Sequence, residues 1–300
     1  MDFTGIIMDK RLVHLDGKHW IGKKRPNESL QIHSYEHVVK QASKNLGFNG
    51  IVAIPNARPD ERRYEEFIES GRKEGKRLRE SDERGGAFYD SENEIYFIKA
   101  QEVRTQIDEV PIVLLAYNLP FGKNLSDKDG NQTLEEAAKY NCILGINLPS
   151  CIDNVDKSWL NLFSKIGHFD FVVGYSGGAA LKGFGSANFS SQNFYGTEIK
   201  RKGFENPFTK EKHNIGIIAV SGGHRTPEGK LEEFLNGGQT LGSSYTEIPE
   251  PNPNNFMNDL RKSLRDSTEG NMNSEPTIIE AIKSQLSIKI SDRLKNLILG

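Results

Sequence analysis

The stretch "HSYEHVVKQASKNLGFNGIVAI", His33 to Ile54, is one helix and one strand in succession. Ser34 suits an N-cap, and Val38, Val39, Ala42 and Leu46 return at three- and four-residue spacing as an apolar stripe. Gly47 suits a C-cap, and "GIVAI" is a short buried strand. A helix followed within a few residues by such a strand is half of a parallel crossover, and the pattern repeats along the chain. Strand-like runs recur as "FTGIIM" with "RLVHL", "EIYFIKAQEV", "PIVLLAY", "CILGI", "FDFVVGY" and "IGIIAV", with helix-like segments between many of them. About seven strands without a visible switch of helix face favour a closed or nearly closed parallel barrel over an open, doubly wound sheet.

Composition narrows the function classes. The 300 residues carry 39 basic and 41 acidic side chains, so no global field draws the chain to nucleic acid or to an anionic membrane. The longest apolar runs are too short to span a bilayer, and "MDFTGIIMDKR" lacks the order of a signal peptide, which leads to the expectation of a cytoplasmic protein. Cys142 and Cys151 are the two cysteines, too few for a disulfide framework or a thiolate zinc site. Residues 58–86 are dense in both charge signs and read as a long solvated helix ending in a loop, with an RNA-contacting arm as the sharper alternative. The segment from Leu181 to Asn214 lacks helical period and reads as a long loop over a barrel mouth. The expected division is a barrel over 1–250, then a linker and C-terminal helices over 251–300, docked on it.

Polar residues stand where the strands end. His14 and Asp16 follow "RLV", Asn56 closes "GIVAIPN", and Glu102 interrupts "IKAQEV". Asn118 follows "VLLAY", Asn147 follows "ILGI", Ser176 follows "VVGY", and His224 with Arg225 follows "IIAVSGG". In a parallel barrel these ends share one face, and residues distant in sequence meet in one pocket. "GYSGG" has nucleophile-elbow spacing, but "AALKGFGSANF" after it is a poor helix, so a glycine-rich turn is the better reading. His33 and His37 stand at i, i+4 spacing without the rest of a zinc-helix motif, and read as solvated imidazoles.

These motifs carry a resemblance. The segment "DGKHWIGKKRPNESLQIHSYEHVVKQASKNLGFNGIVAI" is similar to the opening of the PHP (polymerase and histidinol phosphatase) superfamily. "FIESGRKEGK" and "AQEV" resemble that family's helix and glutamate-bearing strand, and "FVVGYSG" resembles its next conserved strand end. "VSGGHRTPEGKL" resembles its histidine loop, and "LGSSYTEIP" its closing strand. The resemblance covers about residues 5–250 and implies a distorted seven-stranded β/α barrel of TIM-like, PHP type with a C-terminal helical extension. It also implies a metal-dependent phosphoesterase. The family's usual ligands are thinned: His14-Leu15-Asp16 replaces His-x-His, Pro55-Asn56 replaces Asp-His, Leu148 stands before Pro149, and Gly222 replaces an aspartate. His14, Asp16, Glu102 and His224 remain as metal ligands, enough for one zinc, manganese or iron ion or for none. Glu102, His224 and Arg225 would then be catalytic, Arg225 stabilising charge on the phosphorus, and Asn56, Asn118, Asn147 and Ser176 would line the pocket. The implied substrate is a phosphorylated small molecule or nucleotide. The alternative is a non-catalytic barrel serving as a binding or assembly subunit for RNA or protein, as the PHP-like subunit of ribonuclease P does.

Overall fold

The computed structural model describes residues 10–14, 35–46, 50–56, 59–126, 129–147, 163–176, 192, 195–200, 202–220, 244–268 and 271–272. The central strands are β1 (Lys10–His14), β2 (Gly50–Asn56), β3 (Leu78–Glu80), β4 (Ala87–Asp90), β5 (Ile95–Ile107), β6 (Val110–Tyr117), β7 (Ile143–Ile146) and β8 (Phe171–Ser176). They are followed by the small hairpin β9 (Phe204–Glu205) and β10 (Lys212–His213), then β11 (Gly216–Val220), β12 (Ser244–Ile248) and β13 (Asn271–Met272). The helices are α1 (Tyr35–Leu46), α2 (Arg63–Lys73), α3 (Gly130–Lys139) and α4 (Phe256–Asp266). No helix among the described residues is long and apolar enough to cross a membrane.

The main sheet runs β11-β8-β7-β6-β5-β2-β1-β12-β13, with β3 and β4 as a side branch on β5. β1, β2 and β5 are parallel, as are β7, β8 and β11, but β6 is antiparallel to both β5 and β7, and β12 to β1. The expectation of an all-parallel barrel is corrected at β6. Only Asp108 and Glu109 separate β5 from β6, both with positive φ (48° and 68°), as a two-residue primed hairpin turn requires. A parallel return needs a dozen residues or more.

The sheet curls. One face of β2, β5, β6, β7, β8, β11 and β12 shares a single apolar core built from Ile51, Ile98, Leu115, Phe171, Ile218 and Ile248 among others. Its end strands meet through a side chain, because Thr246 Oγ1 on β12 accepts from Ala219 N of β11 at 2.9 Å. No backbone ladder joins β11 to β12 among the described residues. α4 lies at the amino-terminal ends of the strands: Phe256 stacks on Tyr96 at 4.2 Å between ring centroids. Arg261 donates to the carbonyls of Asn141 and Cys142, and Arg265 to Asp170 at 2.6 Å. Leu260 and Leu264 complete the same core. Of the segment 251–300, where C-terminal helices are expected, α4 is described, and residues 273–300 lie outside the described residues.

On the convex side, α1 buries Val38, Val39 and Ala42 as its stripe anticipates, against Phe67 and Phe97. The long solvated helix expected over 58–86 is corrected: α2 is short and one-sided, burying Tyr64, Phe67, Ile68 and Gly71. Gly75, at φ +81°, ends it in a Schellman motif, with Gly75 N donating to Arg72 O and Lys76 N to Gly71 O. The chain then returns as β3 and β4. Several charges of this stretch pair, as in Arg62–Glu69 at 3.4 Å and Arg72–Glu80 at 3.7 Å within it and Lys76 with Glu92 of the β4–β5 turn at 3.2 Å.

A candidate site where the parallel strands end

β5 connects the core to the candidate site. Its even-numbered residues face the concave side, and Tyr96, Ile98 and Ala100 are buried there with Leu115, Tyr117 and Val173. Tyr117 stacks on Phe171 at 5.3 Å, and burial pushes its hydroxyl well above the ordinary phenol range, so the layer is neutral as well as apolar. By the strand's alternation, the next residue on this face is Glu102. On this face of β5 it is the first ionisable group beyond the aromatic layer, opposite Leu115 in register, with Oε1 3.8 Å from the Arg104 guanidinium. Beyond Gln101, the last residue of β5 paired with β2, β5 continues paired with β6 up to the turn at Asp108–Glu109. The convex side of this β5–β6 hairpin, Val103, Ile107, Val110 and Ile112, packs into the core that holds α3's Leu134 and Ala137. On the concave side Arg104, Gln106 and Pro111 are exposed.

Along the ladders Glu102 is level with Leu115, Gly145, Phe171 and Gly216. His14 is the last described residue of β1, in register with Ala53, which pairs with Ile98 of β5. Ser176, the last described residue of β8 before 192, pairs with Val220 of β11. β12 alone separates β1 from β11 in the curl, through the Thr246 bridge. Asp16, His224 and Arg225 lie outside the described residues, as do the side chains of His14 and Ser176. Among the described residues no group of three His, Cys, Asp or Glu side chains could hold a metal ion.

The three asparagines are placed differently. Asn147 follows β7 on the concave face, its N–H donating to Val113 O at 2.8 Å, and its side-chain oxygen is buried without a hydrogen-bond partner among the described residues. Asn56 faces the convex side. Its Oδ1 accepts from Arg63 N at 3.0 Å and Tyr64 N at 3.3 Å, capping α2 where the N-cap residue Arg62 makes no side-chain bond. Its Nδ2 donates to Asn124 Oδ1 at 2.9 Å. Asn118 ends the reversed strand β6, so it sits level with Lys99, its N–H donating to Lys99 O at 3.0 Å. Its φ of +67° is one that asparagine tolerates and most residues do not. The structure therefore groups Glu102 and Asn147 on the concave face and sets Asn56 and Asn118 on the opposite one.

Sequence reading missed the polar clasp on that convex side. Lys99 and Glu65 form a fully buried ion pair between β5 and α2, and Glu65 also accepts from Gly122 N at 2.8 Å. Burial pulls the Lys99 ammonium below its ordinary pKa, against the opposing pull of Glu65. Next to it Gln101 holds the 119–126 loop as a strand would, accepting from Leu125 N at 2.6 Å and donating to Leu125 O at 3.0 Å. An alternating "FIKAQEV" with a lysine and a glutamine at odd positions was the available signal.

No protein-family model matches this chain, and no curated protein matches it. Among solved structures it is similar to a two-domain protein from Bacteroides vulgatus ATCC 8482 described as containing a predicted PHP-like metal-dependent phosphoesterase. The TM-score is 0.48 and the identity 13%, over 86% of this chain and 64% of that one. The chain thus spans less than two thirds of that protein's length.

Proposed function

We propose that the chain is a cytoplasmic, metal-dependent phosphoester hydrolase built on a distorted PHP-type barrel, with a reduced site for one divalent ion. The observation that carries the reading is the position of Glu102. It is a carboxylate on the concave face of β5, one alternation beyond the buried aromatic layer of Tyr117 and Phe171. In this reading carboxylates of Glu102 and Asp16 with imidazoles of His14 and His224 would hold the ion, borderline ligands of the kind that suit zinc, manganese or iron. When bound, the ion supplies a water of lowered pKa and a Lewis acid for a phosphoryl oxygen. In this reading Glu102 and His224 hold the ion and orient the water, and Arg225 faces the phosphoryl oxygens, where negative charge accumulates. The apolar layer of Tyr117 and Phe171 keeps bulk water from approaching from below, which strengthens each of these electrostatic contacts.

The mixed-charge stretch at 58–86 gives the RNA-binding alternative less to stand on, since Arg62, Arg72 and Lys76 pair with neighbouring carboxylates. Metal content by mass spectrometry, on protein purified without chelator, tests the hydrolase. About one equivalent of metal, lost in Glu102→Gln and His224→Ala, supports it. Wild-type protein that stays metal-free after soaking overturns it and leaves the barrel as a binding subunit.

A further inference from the structure

α4 and the β9–β10 hairpin face each other across a cleft of about 580 Å³, within the size range of small-molecule sites. From α4 come Arg261, Lys262 and Arg265, on one helix face at three- and four-residue spacing. From the hairpin come Glu211, Lys212 and His213. None of these belongs to the proposed hydrolase site. The cations are served unequally. Arg265 is neutralised twice, by Asp170 at 2.6 Å and by Glu211 at 3.2 Å. Arg261 commits Nη1 and Nη2 to Asn141 and to the Cys142 carbonyl, but its Nε–H is buried without a hydrogen-bond partner, 3.7 Å from Asp170 Oδ1. Burial pulls this guanidinium below its ordinary pKa, against the opposing pull of Asp170. His213 is 8% exposed; its Nε2 meets Phe169 O at 3.0 Å, and its Nδ1 is buried without a partner among the described residues. Lys212 and Lys262 are exposed, one on each wall, and neither pairs with a carboxylate among the described residues. The cleft is net positive even when Glu211, Asp266 and the underlying Asp170 are counted against its four lysines and arginines.

We propose that this cleft binds a small polyanion with two or more carboxylate or phosphate groups, one reaching the buried Arg261 Nε–H and another held at the rim by Lys212 and Lys262. Buried polar atoms are normally paired, so two unpaired ones in the lining of one cleft point to a polar ligand, and the excess of cations makes that ligand an anion. An anionic oxygen at Arg261 satisfies a donor that has no other acceptor and supplies the negative charge that this desolvated guanidinium lacks. The two lysines sit on opposite walls, so a second anionic group between them joins helix to hairpin. The existing bridge across the cleft, Arg265 to Glu211, involves a carboxylate that is 59% exposed and contributes little by itself. A bound polyanion would therefore stabilise the junction of α4 with the strand starts of β8 and β11, as an effector that acts away from Glu102.

The test is isothermal titration and thermal unfolding of the full chain with citrate and with pyrophosphate, each against sodium chloride of equal ionic strength. At least one polyanion is expected to bind and to raise the unfolding midpoint with its concentration, while chloride does not. Which of the two binds separates a carboxylate ligand from a phosphate one. Lys212→Glu and Lys262→Glu reverse exposed, unpaired charges with little effect on the fold, and each should weaken binding about 10-fold or more. Arg261→Lys keeps the charge and loses the Nε–H, and should weaken binding as well; affinity equal to wild type would overturn the part given to Arg261. Binding that survives both lysine reversals, stabilisation matched by chloride, or no binding of either polyanion overturns the proposal.

Discussion

Removing Lys99 should damage the fold and spare the site. The ammonium and the Glu65 carboxylate are 0% and 1% exposed, so each charge depends on the other. Lys99→Met leaves a buried carboxylate whose remaining donor is Gly122 N, and Glu65→Leu leaves an ammonium whose remaining acceptor is Pro120 O at 3.2 Å. Breaking one side of such a pair costs about 3–5 kcal/mol. The double variant Lys99→Met/Glu65→Leu removes both charges and abandons only those two backbone groups, a cost of about 1–3 kcal/mol. The double-mutant cycle should therefore yield a coupling of at least about 3 kcal/mol, far above that of surface pairs. Urea denaturation at pH 7, with unchanged slopes, measures all four proteins. Lys99 faces away from the concave side, so metal content per folded chain should not change. Single variants that lose less than about 1 kcal/mol each, and add, would refute the argument that the pair is buried and interdependent.

Three further outcomes follow from other contacts. Asn56→Ala removes the cap on α2 and the tie to Asn124, and should cost about 1–3 kcal/mol in the same denaturation assay with no change in bound metal; loss of metal would instead return Asn56 to the pocket. Gly145→Ala would place a methyl 2.0 Å from the Phe171 ring, and thermal unfolding should show a loss of about 1–3 kcal/mol or more, whereas a neutral result would mean that the ring moves freely. Burial, assisted by Lys165, lowers His168 from 6.5 to about 4, so between those values the unfolded chain binds a proton that the native chain refuses. Stability should fall as pH drops through that window and level off below it. The full shift corresponds to about 3.4 kcal/mol, and partial exposure of the ring reduces this to about 1–2 kcal/mol. His168→Gln should flatten this acid limb, and an unchanged slope would discard the assignment.

The strands were legible because each is a short apolar run bounded by polar residues, and β2, β6 and β8 fall where those runs do. The direction of β6 was also written in the chain, in the two residues between "QI" and "VPIV", but seven similar runs drew attention to their number and away from their connections. α2 was obscured because its charges were read as a property of the whole stretch. Gly75 after "RKE" is a helix stop that splits it. Glu102 stands out in the sequence through its place in an otherwise apolar strand. Arg104, two residues on, does not, although period-two alternation puts it on the same face. Asn56 was misdirected by the same parity: with Ile51 and Ala53 facing inward, the residue three beyond Ala53 faces out.

The seam of the sheet also sets an order of events in folding. β1 pairs with β12 across more than 200 residues of chain, Thr246 reaches back to Ala219, and α4, later still, seals the strand starts of β7, β8 and β11. A chain emerging from the ribosome can form the local β5–β6 hairpin early, but β1 must wait for β12 until the more than 200 residues between them have been made. Until then the floor of the core, with Tyr96 and Ile218, stays open to solvent, and this is the interval in which the nascent protein is most exposed to aggregation.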